Sequence, residues 1–287
     1  MSKQNKRHRR IRKHRAGTKG TKRTNFPGQH LMHNKRLIAD LIGMADITPE
    51  DVVLEIGAGT GALTLPLAKK AAKVLAVEND PHFANKLRRA TEDSNIHVIE
   101  RNFLEIGLPR QPFCVVANIP YSITTPILGK LLDRPTNSLQ RAVLVVEKGA
   151  AIRFTATPIT DPRILTWRMW FHLERGRSIS PNNFSPPPRV DSAVLVIRRK
   201  ETPPIDARHH RQFAALAAYG LTAPHAPLHM ALDGVFTPPQ VTRLVRQLDV
   251  AQEAPIGTLN ERQWRIVFQT MQTHVTRFRW PKIYKRK

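Results

Sequence analysis

The chain has 287 residues, 41% of them hydrophobic, and carries 46 Lys and Arg against 22 Asp and Glu, a net charge of +24. One cysteine excludes an intramolecular disulfide framework and a cysteine-built zinc site, and fits a reducing cytoplasm. A mean hydropathy of −0.36, with no run of about 18 apolar residues, argues against a membrane-spanning helix. The charge excess points to a polyanionic partner.

Residues 1–24 form a basic arm from Lys3 to Arg23 with no acidic residue in it. Such a run repels itself and has no core, so order is expected only on phosphate. Apolar positions at helical spacing predict a helix over 34–46. Strand and helix signals then alternate. Strands are predicted at 52–56, 74–77, 96–99, 113–116 and 142–146, with helices at 62–70 and 81–90. This alternation predicts a parallel α/β sheet with helices on both faces. Residues 180–188, with Pro181, Pro186, Pro187 and Pro188, read as a stiff extended loop before a strand over 190–197. After a linker at 201–204 the pattern is helical at 213–219, 239–248 and 261–268, which predicts a smaller all-α domain with Tyr219 and Trp264 in its core. The expected organisation is an arm over 1–24, an α/β domain over 25–200, a helical domain over 201–272 and a basic tail over 273–287. Within the tail, Phe278, Trp280 and Tyr284 interleave with the charges.

Glu55-Ile56-Gly57-Ala58-Gly59-Thr60-Gly61 follows one strand and opens a helix, and glycines there let the backbone approach a nucleotide closely. Glu78 ends the next strand, where an acid suits ribose hydroxyls. The glycines run G-x-G-x-G rather than G-x-G-x-x-G, which favours a nucleoside cofactor without phosphates, such as S-adenosylmethionine. At this point a nicotinamide dehydrogenase remains the rival.

The deciding segment is Asn118-Ile119-Pro120-Tyr121 at the end of the fourth predicted strand, the edge where ligands bind in open α/β sheets. An exocyclic amine such as adenine N6 is a poor nucleophile because its lone pair is delocalised into the ring. An Asn oxygen and a backbone carbonyl, each accepting one N6–H, favour a more tetrahedral nitrogen and aim its lone pair. Pro120 holds Ile119 extended, and Tyr121 offers a ring to stack on an extruded base. Hydride transfer gives this tetrapeptide no role.

With these motifs the chain resembles the ribosomal RNA adenine N6-methyltransferases, and within them the Erm methylases. The resemblance runs from about Asn25 to Trp280. It is carried by Gly28 to Leu31, Glu55 to Gly61, Asn118 to Tyr121, Glu147 to Ala151, Trp167 to Phe171 and Phe184 to Ala193. It implies a Rossmann-like S-adenosylmethionine-dependent fold with a small C-terminal all-α domain. The implied substrate is one adenine in the peptidyl-transferase loop of 23S rRNA, with resistance to macrolide, lincosamide and streptogramin B antibiotics as the consequence. It also implies a bacterial cytoplasmic monomer that acts before the ribosome is fully assembled and needs neither a metal nor a protein partner. By position, His30 and Met32 fall near the methionine moiety, Gly57 against the cofactor, Glu78 at the ribose and Asn102 at the adenine. Asn118 serves both cofactor and target, and Phe184 stacks on the flipped base. Asn102 stands where most relatives carry Asp, so acceptance from the cofactor's amine lacks charge assistance. Two other readings stay open: a small-subunit rRNA adenine dimethyltransferase, and a non-catalytic basic rRNA-binding protein. His209-His210 has no matching ligand set, and Cys114 reads as a buried small hydrophobe. Arg89, Arg141, Arg163, Arg168 and Arg189 are candidates for an RNA-facing surface.

Overall fold

The computed structural model describes residues 30–282, so the basic arm, Gly28, Gln29 and Tyr284 lie outside the described residues. In chain order the elements are β1 (Leu31–Met32), α1 (Lys35–Met44), β2 (Val52–Ile56), α2 (Thr64–Ala68), β3 (Lys73–Glu78), α3 (Pro81–Ala90), β4 (Ile96–Glu100), β5 (Phe113–Asn118), α4 (Thr124–Leu132) and β6 (Leu139–Glu147). They continue with α5 (Lys148–Thr155), α6 (Pro162–Trp170), β7 (Phe171–Ile179), β8 (Phe184–Ser185), β9 (Ser192–Arg199), α7 (His210–Gly220), α8 (Leu228–Ala231), α9 (Pro238–Leu248) and α10 (Glu261–His274).

Seven strands form one sheet in the order β4-β3-β2-β5-β6-β9-β7. From β4 to β6 the pairing is parallel, as expected, but β9 runs antiparallel to both β6 and β7. The parallel expectation therefore needs correcting at this edge. The segment between β7 and β9 contains no crossover helix, so the chain returns in the opposite direction, and β9 inserts between β6 and β7. The chain moves outward from β2 through β3 to β4, then reverses to β5 and β6. This places a topological switch point between β2 and β5, where ligands of such sheets bind.

The central strands are buried on both faces, and their residues divide between two cores by alternation. Leu54, Val115 and Leu144 pack on one face with Ile127 and Leu131 of α4, and with Trp167 of α6. Val53, Val116 and Val143 pack on the other with Leu37 and Leu41 of α1, and with Leu67 of α2. The first cluster continues without a break into the C-terminal helices through Phe213, Trp264 and Phe268. At the junction the Trp170 indole N–H donates to the carbonyl of Ile205 at 2.9 Å, and its ring meets Phe213 edge-on at 6.1 Å. Trp264 is core, as expected, whereas Tyr219 is 40% exposed with its hydroxyl donating to the Asp233 carbonyl. The expected tail boundary at 273 falls inside α10, and Trp280 folds back to donate from its indole to Val275 O at 2.9 Å. Cys114 is buried in β5.

Among the described residues no helix is long and apolar enough to cross a membrane.

Candidate functional site: a cofactor cavity with an adjoining aromatic mouth

At the switch point the carboxyl ends of β2, β3 and β5 surround a cavity of about 270 Å³ lined by Gly57, Glu78, Asn102, Asn118, Tyr121 and His30, with Phe103 and Leu104 among its apolar walls. Six of the predicted site residues are thus brought together.

The glycine turn forms the floor. Gly57 and Gly59 have φ of +75° and +53°, a region in which a side chain is strained. A Cβ on Gly59 would also stand 2.9 Å from Leu31 Cδ2. The turn is fixed to the neighbouring strand: Gly57 N–H donates to Val77 O at 2.8 Å, and Gly59 N–H donates to Glu78 Oε2 at 2.7 Å. The other Glu78 oxygen accepts from the Asp80 N–H at 2.8 Å. The carboxylate is only 4% exposed, yet two backbone donors hold it. Each oxygen retains a lone pair for a ligand hydroxyl.

Beneath the turn lies a second acid, Glu55. Its Oε2 accepts from the Thr64 hydroxyl at 2.6 Å. Burial raises its pKa to about 8 against the Thr64 bond, and the nearby Glu78 adds to the rise.

At the far end Asn102 caps a short 3-10 turn over Phe103–Glu105, its Oδ1 accepting from Leu104 N–H at 3.0 Å. At the near end Asn118 terminates β5, and its Nδ2 donates to His30 O at 2.7 Å. A carbonyl can only accept, so this bond fixes which end of the amide is which. Oδ1 remains as the acceptor. The next residue, Ile119, is buried with its N–H on Val145 O at 3.2 Å.

Tyr121 and His30 make the mouth. Their rings lie 5.8 Å apart at 34°. The Tyr121 hydroxyl meets Ser192 Oγ at 2.5 Å, and its pKa is raised first by burial, against the Ser192 bond, with Glu147 adding to the rise. His30 Nδ1 pairs with Pro186 O at 2.8 Å. Ser192 had no sequence signal beyond its place in the resembling segment.

Two predicted residues stand elsewhere. Strand β1 pairs antiparallel with β8, with Met32 opposite Phe184. Both side chains turn into the core beside Leu37, leaving them 6% and 2% exposed. Alternation along β1 brings Leu31, not Met32, to the cavity. Phe184 offers no face to a base in this arrangement; Tyr121 and His30 are the rings at the mouth. Three of the candidate RNA-facing arginines are half-buried and engaged in ion pairs: Arg141 pairs with Asp51, Arg163 with Asp133 at 2.7 Å and Arg168 with Glu261 at 2.8 Å. Arg89 and Arg189 are exposed. His209 lies against the Phe268 ring, and His210 Nδ1 meets Ala207 O.

The donor set suits a nucleoside cofactor: a carboxylate for hydroxyls, an amide beside an apolar wall for a base, and a floor of glycines at positive φ. The architecture is that of the Rossmann-like S-adenosylmethionine-dependent methyltransferases. The model of the family described as ribosomal RNA adenine dimethylase matches residues 20–273. The chain is 48% identical over 264 residues to an rRNA adenine N-6-methyltransferase of Bacillus licheniformis, covering 92% of each. It is 35% identical over 245 residues to a ribosomal RNA small subunit methyltransferase A of Thermosynechococcus vestitus, covering 83% of this chain and 92% of the relative. Among solved structures, the 23S rRNA methyltransferase ErmE superposes with a TM-score of 0.75 at 26% identity, covering 85% of this chain and 100% of that one. The chain belongs to the ribosomal RNA adenine dimethylase family and is an S-adenosylmethionine-dependent rRNA adenine N6-methyltransferase.

Proposed function

We propose that this enzyme methylates N6 of one adenine in the peptidyl-transferase loop of 23S rRNA, conferring resistance to macrolide, lincosamide and streptogramin B antibiotics. The observation that carries the chemistry is the Asn118 amide, oriented by His30 O so that Oδ1 is left as an acceptor at the cavity. What favours the large-subunit RNA is the likeness to the 23S rRNA methyltransferase ErmE.

In this reading Glu78 receives the ribose hydroxyls, Gly57 lies under the cofactor, and Asn102 accepts from the adenine amine. Bound S-adenosylmethionine supplies an electrophilic methyl carbon on a sulfonium. Asn118 Oδ1 and the Ile119 carbonyl each accept a hydrogen from the target amine, which moves nitrogen density toward that carbon. Tyr121, held by Ser192, stacks on the extruded adenine. Extrusion costs a few kcal/mol and least for an unpaired base, so a loop adenine is the natural target. The helical segment 201–272, the arm 1–24 and the basic tail grip surrounding phosphates without reading bases. The protein works as a cytoplasmic monomer on RNA not yet assembled into ribosomes.

The test is incubation with protein-free 23S and, separately, 16S rRNA plus S-adenosylmethionine. Digestion and mass spectrometry then identify mono- or dimethyladenosine, and primer extension locates it. One modified adenine in the 23S peptidyl-transferase loop is the expected result. Modification of 16S alone replaces this reading with a small-subunit enzyme.

A further inference from the structure

Helix α4 starts beside the Asn118–Tyr121 motif and ends beside the opposite end of the cavity. In its last turn Lys130 donates to Leu104 O at 2.8 Å and to Ile106 O, and its ammonium stands 5.2 Å from the centre of the Phe103 ring. One cation therefore grips three residues of a single turn, two of which, Phe103 and Leu104, line the cavity. Burial lowers the Lys130 pKa while Glu105 opposes the shift. On the same turn, Glu105 Oε1 accepts from Asn102 Nδ2 at 3.3 Å.

We propose that Lys130 and Glu105 are positioning residues for the cofactor's adenine, Lys130 by holding the 103–106 turn in place and Glu105 by setting the rotation of the Asn102 amide. The inference rests on the reading that Asn102 meets that adenine. A carboxylate can only accept, so it draws the NH₂ end of Asn102 to itself and leaves Oδ1 to Leu104 N–H and the ligand. The arrangement also gives Asn a reason to occupy position 102. An Asp there would set two carboxylates about as close as the 3.3 Å bond now seen, and like charges at that range repel. Asn102 and Glu105 form a matched pair, and neither Lys130 nor Glu105 needs to touch the cofactor.

The test measures S-adenosylhomocysteine binding to the full chain by calorimetry, with steady-state kinetics on rRNA. Lys130→Met and Glu105→Ala should each raise Kd and the S-adenosylmethionine KM about tenfold, roughly one decade of affinity. The kcat at saturation should stay within about twofold of wild type, because the reacting end is untouched. Lys130→Arg should restore most of the affinity. Asn102→Asp should weaken binding, and adding Glu105→Gln to it should recover the loss. Unchanged Kd in both Lys130→Met and Glu105→Ala overturns the proposal, as does an Asn102→Asp that binds more tightly than wild type. The Asn102→Asp and Glu105→Gln pair decides the matter if Lys130→Met does not fold, as judged by thermal melting. Wild-type binding in Asn102→Ala removes the adenine placement itself, and the proposal with it.

Discussion

Asn118 is oriented by a residue 88 positions earlier, its amide donating to the backbone carbonyl of His30 at 2.7 Å. Backbone carbonyls survive side-chain replacement, so substitutions at His30 should leave this bond in place, whereas substitutions at Asn118 remove it. Asn118→Ala should lower kcat by about 10²–10³-fold, the usual loss for one preorganised polar group at a reacting centre. RNA binding should be retained. Methyl incorporation into rRNA and filter binding measured together check both halves; an active Asn118→Ala enzyme would remove the residue from the mechanism.

Gly59→Ala probes the cavity floor. Alanine at φ +53° costs about 1–2 kcal/mol. Its methyl group would also displace the Leu31 side chain, which stands 2.9 Å from the ideal Cβ position. S-adenosylhomocysteine affinity should fall about tenfold. The melting temperature should drop by about 3–6 °C. Calorimetry and a thermal melt read the two effects separately, and wild-type affinity in this variant would mean that the turn does not shape the binding surface.

The buried Glu55 makes stability depend on pH. Its pKa rises from 4.5 to about 8 on folding, so the native state holds the proton more tightly than the unfolded chain does. Its contribution is complete below pH 4.5 and is lost as pH climbs toward 8. The slope from this one group is at most about 1.4 kcal/mol per pH unit. Glu55→Gln keeps an acceptor for the Thr64 hydroxyl without the titration. Melting curves from pH 5 to 8 should therefore decline less steeply in Glu55→Gln than in wild type, and parallel curves would refute the assignment.

Deletion of residues 1–22 removes most of the basic arm. RNA affinity should fall, and the slope of log affinity against log salt should flatten by about 0.7–0.9 for each phosphate that the arm would otherwise neutralise. Filter binding from low to moderate salt measures it. An unchanged slope would exclude the arm from phosphate binding.

Much of this molecule is legible in its sequence. Strands β2 to β6 are short apolar runs between turn signals, and the boundaries of α3 match those expected. Helix α6 escapes a sequence reading because Ile164, Leu165, Thr166, Trp167, Met169 and Trp170 are all buried, which leaves no polar face to generate a helical period. Strand β7 escapes it for the opposite reason: it is an edge strand with the polar run Glu174-Arg175-Gly176-Arg177 exposed in its middle. Strand direction is set by connections rather than by local pattern, so the antiparallel β9 has no sequence signature. At the site, Gly57, Glu78 and Asn118 follow from their places at strand ends. Met32 and Phe184 enter by resemblance alone, and only the β1–β8 pairing shows that their side chains face the core.

That small β1–β8 ribbon has a mechanical consequence. Leu31 and Met32 are clasped to Ser185 and Phe184, and the residue just before them supplies the carbonyl that steers Asn118. In the sequence, residues 25–29 separate the basic arm from His30. A shift of the His30 backbone would reach the Asn118 amide through a single hydrogen bond, and the ribbon beside it holds that backbone in place. In the proposed mechanism this ribbon therefore sets the aim of the acceptor without touching it.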